Sequence, residues 1–340
     1  MIRIAAFLLA LAAGAAQAAV GVTQVPMPGS EDPITVFYPS SSPAERVSRK
    51  PFELMLALNG TPVRGNGRLI VVSHGSGGSP WTYTDLASRL VEAGFVVAAP
   101  LHDGNNWKDM SKVGPPSWKL RPLEMSRAVD ALGQDPRFAP LLALDKVGAY
   151  GMSAGGHTAL TLAGGRWSPS QLLKHCEAHL EEDFPTCVGL ATQLRGNALD
   201  GVKKSIARMV LRWKLDDPAW YSHTDPRITA VVAEVPLAVD FDMASFTTPK
   251  TTLGIVQAGQ DKWLAPRFHS GEVIRACPSC EVVADIPTAG HGSLLSPGPP
   301  KEYLSEAAWE LLRDPPGFDR ALVAPAHERI ASFFKKHLLP

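Results

Sequence analysis

Residues 147–157 of the chain read Val-Gly-Ala-Tyr-Gly-Met-Ser-Ala-Gly-Gly-His. The apolar run Val147–Tyr150 indicates a short buried strand, and the run Thr158–Ala163 predicts a helix. Between them, Gly151–Gly155 fits G-x-S-x-G, the pattern of a serine held on a tight strand-to-helix turn. Backbones approach so closely in such a turn that neighbouring side chains must be small or absent. Ser153 is therefore predicted to project from a helix N-terminus, where partial positive charge stabilises an oxyanion.

An acid and a histidine follow two later strands of the predicted sheet. Leu253–Ala258 has the pattern of a buried strand and is followed by Asp261, and Glu281–Ile286 is followed by His291. Because the carboxyl ends of parallel strands meet at one crevice, Ser153, Asp261 and His291 are expected to lie close together. Serine, acid and histidine in this order are typical of a nucleophile with its general base and the group that orients the base.

Three other residues compete for roles in this arrangement. Asp240 and Asp242 follow the preceding strand and are alternative acids, but the strand-Gly-x-Asp setting of Asp261 is the commoner arrangement. His157 lies one helical turn after Ser153, so its side chain is expected to point away from the turn and to pack against neighbours.

A glycine-rich loop follows an earlier strand. Arg68–Ser73 reads as a strand and runs into His74–Gly78, a loop of the kind whose backbone N–H groups bind an oxyanion. We expect the N–H groups of Ser76 and Ala154 to form this oxyanion hole, in which one donor is typically worth about 3–4 kcal/mol.

These motifs together resemble the α/β-hydrolase superfamily, in the branch of the dienelactone-hydrolase-like and platelet-activating-factor-acetylhydrolase-like serine esterases. The resemblance runs from about Val36 to the C-terminus, apart from a middle insertion, and is carried by Phe37–Ser40, Val72–Gly78, Gly94–Pro100, Gly151–Gly156 and Gly290–Gly292. It implies a doubly wound, mostly parallel α/β sheet with a helical cap. Dienelactone hydrolases use a cysteine nucleophile, whereas this chain has Ser153, which favours ordinary ester hydrolysis.

The expected activity is hydrolysis of short or medium acyl esters through an acyl-enzyme, with a small-molecule substrate and no cofactor or metal. Amide or peptide cleavage, thioester or lactone hydrolysis and acyl transfer to an alcohol use the same residues and stay open. A non-catalytic binding protein is disfavoured because all three members of the triad are present. Haloalkane dehalogenation is disfavoured because it needs a carboxylate in place of Ser153.

The cap insertion is predicted at about residues 166–227, where strands and helices cease to alternate. Helices are expected near 169–180 and 199–213. Two interpretations of its aromatic residues are equally supported: they line an acyl pocket, or they pack the cap onto the body. The residues concerned are Trp167, Trp213, Trp220 and Tyr221.

Residues 1–18 have the pattern of a signal peptide. Arg3 precedes the apolar run Ile4–Ala15, and Ala16-Gln17-Ala18 fits a cleavage site. The run is too short for a permanent membrane span, and no later stretch is apolar enough to be one. We therefore expect an exported protein, periplasmic or secreted, whose residues 19–340 form one domain.

Charge and cysteine content agree with export. Without Arg3 the mature chain has 32 basic against 33 acidic residues, so no global field attracts nucleic acid or anionic lipid. The four cysteines allow three disulfide pairings, of which Cys176 with Cys187 and Cys277 with Cys280 are preferred. A redox role for Cys277-Pro278-Ser279-Cys280 is disfavoured because this motif follows a helix and precedes a strand.

Several further elements are predicted around this core. Residues 21–40 read as edge strands and 52–58 as another short strand, while Ser79-Pro80 begins a helix. Helices are also predicted over 120–132, 303–313 and 318–337. His102 and Asp103 leave the end of one strand together, so they are expected to line or brace the pocket.

Overall fold

The computed structural model of the protein describes residues 18–340, so nearly all of the predicted signal segment lies outside the described residues. The described residues contain ten strands: β1 (Ala19–Val25), β2 (Ile34–Ser40), β3 (Glu45–Arg49), β4 (Phe52–Leu58), β5 (Leu69–Ser73), β6 (Val96–Pro100), β7 (Val147–Met152), β8 (Ile228–Glu234), β9 (Thr252–Ala258) and β10 (Glu281–Ile286). They form one sheet in the order β10-β9-β8-β7-β5-β6-β2-β1-β4-β3. The predicted mostly parallel α/β class is confirmed, because the six strands from β6 to β10 in this order are all parallel.

The edge of the sheet differs from the prediction. Strands β1 and β2 pair antiparallel and lie inside the sheet, because β4 pairs with β1 and β3 covers β4. The prediction that residues 21–40 are edge strands is therefore wrong, while the strand at Phe52–Leu58 is confirmed. Strand β3 was not predicted. Val47 is its one buried side chain, so its sequence has no alternating apolar pattern.

Helices cover both faces of the sheet. They are α1 (Thr84–Glu92), α2 (Pro115–Gln134), α3 (Ala154–Leu162), α4 (Pro169–His179), α5 (Phe184–Val188), α6 (Asp200–Lys214), α7 (Ser270–Ala276), α8 (Glu306–Leu312) and α9 (Val323–Leu338). Alternate residues of each strand face opposite cores: Val71 packs with α2 and α3, whereas Ile70 and Val72 pack with α1 and α9. This arrangement gives the parallel strands an apolar environment on both faces and brings their carboxyl ends to one edge.

Three helix ends differ from the prediction for local reasons. Helix α2 starts earlier, at a proline in the first turn after Gly114. Helix α8 begins after Ser305, whose hydroxyl accepts a hydrogen bond from the Ala308 N–H. Helix α9 begins at Val323 rather than near 318, because Asp319 caps a short 3₁₀ turn that precedes it.

The predicted disulfide pairing is confirmed. Cys176 is bonded to Cys187, and Cys277 to Cys280, with Cα–Cα distances of 5.7 and 5.4 Å. Two disulfides are compatible with an exported protein. Over residues 18–340, no helix combines the length and the hydropathy that crossing a membrane requires.

Candidate active site

Ser153 lies on a sharp turn between β7 and α3, as predicted. Its backbone has φ 59° and ψ −118°, a conformation that is strained for a residue with a side chain. The turn depends on the neighbouring glycines: a Cβ at Gly151 would lie 1.9 Å from the Gly155 carbonyl oxygen, and one at Gly155 would lie 1.9 Å from that of Ser73. The bond from the Ser153 N–H to the Glu234 carbonyl, 3.0 Å long, anchors the turn on β8.

The predicted partners of Ser153 come together around it. His291 Nε2 is 3.0 Å from Ser153 Oγ, and His291 Nδ1 is 2.7 Å from Asp261 Oδ2. Asp261 Oδ1 accepts hydrogen bonds from the backbone N–H groups of Trp263 and Leu264, at 2.8 and 2.9 Å. An ionised carboxylate only accepts, so it holds the proton of His291 on Nδ1 and leaves Nε2 free to accept the serine proton.

The two loops that carry the histidine and the acid are tied together. Asp261 follows β9 and His291 follows β10, and these two parallel strands are neighbours in the sheet. A hydrogen bond of 2.8 Å joins the Gln260 N–H to the Ala289 carbonyl. Asp261 and His291 are each only 4% exposed, so their hydrogen bond is shielded from competing water.

Within the described residues, the loop Gly75–Gly78 has one backbone N–H without a hydrogen-bond partner. The Gly75 N–H bonds to the Tyr83 hydroxyl, the Gly77 N–H to Asn105 and the Gly78 N–H to the Gly75 carbonyl. Within residues 18–340, the Ser76 N–H has no such partner. The Ala154 N–H is likewise free of an intrahelical bond, because Ala154 is the first residue of α3. These are the two N–H groups that the sequence predicted for the oxyanion hole.

A buried polar network braces this loop. Asn105 Oδ1 accepts from the Ser76 hydroxyl at 2.8 Å and from the Gly77 N–H at 3.0 Å. Arg121, which is 0% exposed, donates to the backbone carbonyls of His74 and Asn105. Burial lowers the pKa of Arg121 to about 10, but the guanidinium stays charged at neutral pH. Neither Asn105 nor Arg121 was predicted from the sequence to act at this loop.

His102 and Asp103, which the sequence predicted to line or brace the pocket, line neither cavity, and only His102 is placed to brace the site from inside the protein. His102 Nε2 lies 2.7 Å from Ser73 Oγ, and Nδ1 lies 2.6 Å from Glu124 Oε2. These three residues copy the connectivity of a catalytic triad, but His102 is completely buried and burial lowers its pKa well below the usual value. The histidine therefore supports the end of β5 from inside. Asp103 instead lies at the surface and pairs with Lys112.

We expect the backbone of Ser76, and not its hydroxyl, to matter for any oxyanion chemistry. Ser76→Pro removes the N–H donor and should lower kcat about 10²- to 10³-fold. Ser76→Ala keeps the N–H and loses only the bond to Asn105, so its kcat should stay within about tenfold of the wild type. Steady-state kinetics of Ser76→Pro and Ser76→Ala, measured against the wild type, tests this expectation. Equal losses in both variants would contradict this assignment.

Glu234, at the end of β8, is a buried carboxyl that was not predicted from the sequence. Its Oε2 accepts a 2.6 Å hydrogen bond from the Tyr150 hydroxyl. Burial raises the pKa of Glu234 to about 7, although the Tyr150 bond and nearby His291 oppose the rise. A lone glutamate at the end of the apolar run Val231–Ala233 was the available signal.

Glu234 should make the stability of the protein depend on pH. Because its folded pKa lies above the ordinary 4.5, its stabilising contribution is complete below about pH 4.5 and is lost as the pH rises through 7. The Gln of Glu234→Gln cannot ionise. Between pH 4.5 and pH 8, the free energy of unfolding of the wild type should therefore fall by about 3 kcal/mol relative to that of Glu234→Gln. Denaturant unfolding at both pH values tests this, with the exposed Glu302→Gln as the control. A constant difference between wild type and Glu234→Gln would refute it.

The competing residues are engaged elsewhere. His157 Nε2 lies 2.9 Å from Asp240 Oδ2, both side chains are fully buried, and the ring of His157 stacks on Trp118. Asp242 pairs with Arg166 at the surface. His157 therefore packs against its neighbours, as predicted, and neither alternative acid contacts His291.

Two cavities meet at His291. The larger, of about 740 Å³, has Ser153 and the loop Gly75–Gly78 in its wall, and its apolar lining includes Phe52, Trp81, Tyr83, Trp107, Met110 and Leu312. The smaller, of about 370 Å³, is lined by Gly290 and by charged side chains that include Glu182, Lys262, Glu310 and Arg313. The site thus has an apolar side at the serine and the glycine-rich loop, and a charged side beyond the histidine.

The insertion of residues 166–227 forms part of both walls. Leu190 lines the larger cavity, and Phe184 and Leu194 line the smaller one. Buried Asp183 ties the insertion to the body: burial raises its pKa, but hydrogen bonds from His175 and His269 outweigh burial and hold the pKa far below its usual value.

The aromatic residues proposed for an acyl pocket lie away from both cavities. Trp167 is buried and its ring packs on Tyr221, whereas Trp220 lies beneath the Arg166 guanidinium. Trp213 is 76% exposed. The packing interpretation therefore holds for Trp167 and Tyr221, and the aromatic wall near Ser153 comes from other loops.

Comparison of the chain with protein-family models and with curated proteins finds no match. Among residues 18–340, no three or more His, Cys, Asp or Glu side chains are grouped so as to hold a metal ion.

Proposed function

We propose that the protein is an exported serine hydrolase that cleaves carboxylic esters. The observation that carries this proposal is the continuous relay from Ser153 Oγ through His291 to Asp261, with distances of 3.0 and 2.7 Å, at the wall of a cavity. A nucleophile within hydrogen-bond reach of a base that a third group orients is the signature of covalent acyl transfer. The motif resemblance to the α/β-hydrolase superfamily supports the same class.

The reaction has two halves. Ser153 attacks the ester carbonyl while His291 Nε2 takes its proton, and the oxyanion accepts hydrogen bonds from the Ser76 and Ala154 N–H groups. His291 then gives the proton to the leaving alcohol, and an acyl-enzyme remains. Water activated by His291 releases the acid. Asp261 holds the imidazole in the tautomer that each proton transfer needs.

The two cavities suggest where each half of the ester binds. The acyl carbon is bonded to Ser153 and its oxygen lies at the glycine-rich loop, so the acyl chain extends into the larger, apolar cavity. The alcohol must lie near His291 Nε2 to receive its proton, which directs it towards the smaller, charged cavity. An ester of an apolar acid with a polar alcohol fits this arrangement best.

A series of p-nitrophenyl esters of increasing acyl length tests the proposal. Turnover is expected, with kcat/KM rising with chain length while the chain fills the larger cavity, because each buried methylene contributes about 0.8 kcal/mol. Folded protein that turns over no member of the series, but hydrolyses matched anilides or thioesters, would move the activity to another acyl class.

A further inference from the structure

The outer face of helix α6 carries a stripe of exposed apolar side chains. Residue by residue, Leu199 is 64% exposed, Val202 57%, Ile206 52%, Met209 65%, Val210 36% and Trp213 76%. The opposite face packs on the rest of the insertion through Ala207 and Leu211, which are buried. The outer face has no partner within the described residues.

The spacing of these residues places them on one side of the helix. Steps of three and four residues lead from Leu199 through Ile206 to Trp213, and side chains at such steps are neighbours on a helix surface. Exposed apolar residues that are scattered singly need no explanation, but a contiguous stripe marks a surface that binds something.

The charges that flank the stripe are almost all positive. Helix α6 carries five basic residues and one acid, Asp200; the basic residues are Lys203, Lys204, Arg208, Arg212 and Lys214. At 100° per residue, Lys203 and Lys214 lie along one border of the stripe, and Arg208 and Arg212 lie beyond the other.

Some of these cations have partners in the protein. Lys203 pairs with Asp200, Lys204 with Glu181 and Arg212 with Glu177. Arg208 and Lys214 have no acidic side chain within 4.0 Å in residues 18–340. Lys214 is therefore the unpaired cation at the border of the stripe, whereas Arg208 lies about 150° from the centre of the stripe and acts on the nearby carboxylate of Glu181.

We propose that α6 docks the protein on an anionic phospholipid bilayer, with the stripe inserted at the interface and the basic side chains at the phosphates. A helix with an apolar face that contains Trp, bordered by Lys and Arg, has the composition of an interfacial helix. The whole chain is nearly neutral, so the attraction is local to this helix. Docking needs no catalytic activity, so it stands apart from the proposed function.

A second copy of the chain fits the stripe less well. The steps of three and four residues would suit pairing of two α6 helices, but such pairs place opposite charges at the positions beside the seam. Here those positions hold Lys203 and Arg212, each already paired with an acid of its own chain, so neither border offers the opposite charge that a second α6 helix would need. An anionic surface is complementary to the excess of basic residues on the helix.

Docking would bring the site close to the lipid. Leu190, in the turn Gly189–Ala191 that precedes α6, lines the cavity at Ser153. The insertion thus links the proposed lipid-binding face to the wall of the candidate active site.

Co-sedimentation with vesicles tests the proposal. The protein should bind vesicles that contain phosphatidylglycerol more tightly than pure phosphatidylcholine vesicles, and salt should weaken the difference. Met209→Glu puts a charge in the stripe and should lower the partition coefficient about tenfold or more. The control is Met55→Glu, on β4, because Met55 is 64% exposed against 65% for Met209. Lys214→Glu reverses the unpaired charge at the border of the stripe and should lower the preference for the anionic vesicles.

Three results would overturn the proposal. They are an absence of vesicle binding, equal binding to both vesicle types, and equal losses in Met209→Glu and Met55→Glu. A dimer in sedimentation that Met209→Glu dissociates, without vesicle binding, would assign the stripe to a second copy. Circular dichroism of each variant establishes that it is folded.

Discussion

Ser153→Ala is expected to lower kcat on p-nitrophenyl esters by roughly 10⁵- to 10⁶-fold and to leave KM nearly unchanged. The hydroxyl that becomes acylated is lost, while the oxyanion hole and the cavity are kept, so a small residual rate over uncatalysed hydrolysis should persist. The fold should be unaffected, because no protein group besides His291 bonds to Ser153 Oγ within the described residues. Steady-state kinetics and thermal unfolding of the purified variant provide the measurement.

Ser48→Ala is the matched control for this prediction. Ser48 lines the same cavity, but its hydroxyl bonds to Glu53 at the surface and contacts no histidine. Its removal should change kcat less than about threefold. If Ser153→Ala kept substantial turnover, or if both variants lost activity equally, the nucleophile would have to be another residue.

Asp261→Asn is expected to cost about 10⁴-fold in kcat without unfolding the protein. Asn Oδ1 can still accept from the Trp263 and Leu264 N–H groups, so the side chain keeps its orientation. Its NH₂ group then faces His291 Nδ1, which must become the acceptor. The imidazole proton moves to Nε2, and the atom that should take the proton from Ser153 already carries one.

Asp242→Asn serves as the control for the acid, because it changes a rival carboxylate whose one ion pair in residues 18–340 is with Arg166 and which caps a short turn. It should leave kcat within about twofold of wild type. Activity loss at Asp242 with full activity in Asp261→Asn would reverse the assignment. The pH–rate profile adds a second readout, since a wrong tautomer lowers the plateau rate at the optimal pH.

The sequence predicted the serine turn and its partners because their signals are local. Gly151 and Gly155 mark a place where no Cβ fits, and the apolar runs before Asp261 and His291 mark buried parallel strands. The carboxyl ends of parallel strands lie at one edge of a sheet, so the three side chains that follow β7, β9 and β10 meet there.

The cavity walls were not predictable in the same way. The wall of the larger cavity is built from four separate segments, which contribute Phe52, Trp81, Trp107 and Leu190. No periodic pattern in the sequence indicates which of these segments meet in space. Trp213 was misleading because an aromatic side chain in an insertion looks like a lining residue, although it faces outwards. Asn105 acts through hydrogen bonds to a distant loop, and only coordinates reveal such contacts.

Labelling with a fluorophosphonate probe, followed by peptide mapping, tests the central claim most directly. The probe reacts with a serine only where a base removes the proton and an oxyanion hole accepts the phosphoryl oxygen. We predict one equivalent of label on the peptide that contains Ser153, and none in Ser153→Ala. Label on a different serine, or no label on a protein with native circular dichroism, would contradict the account.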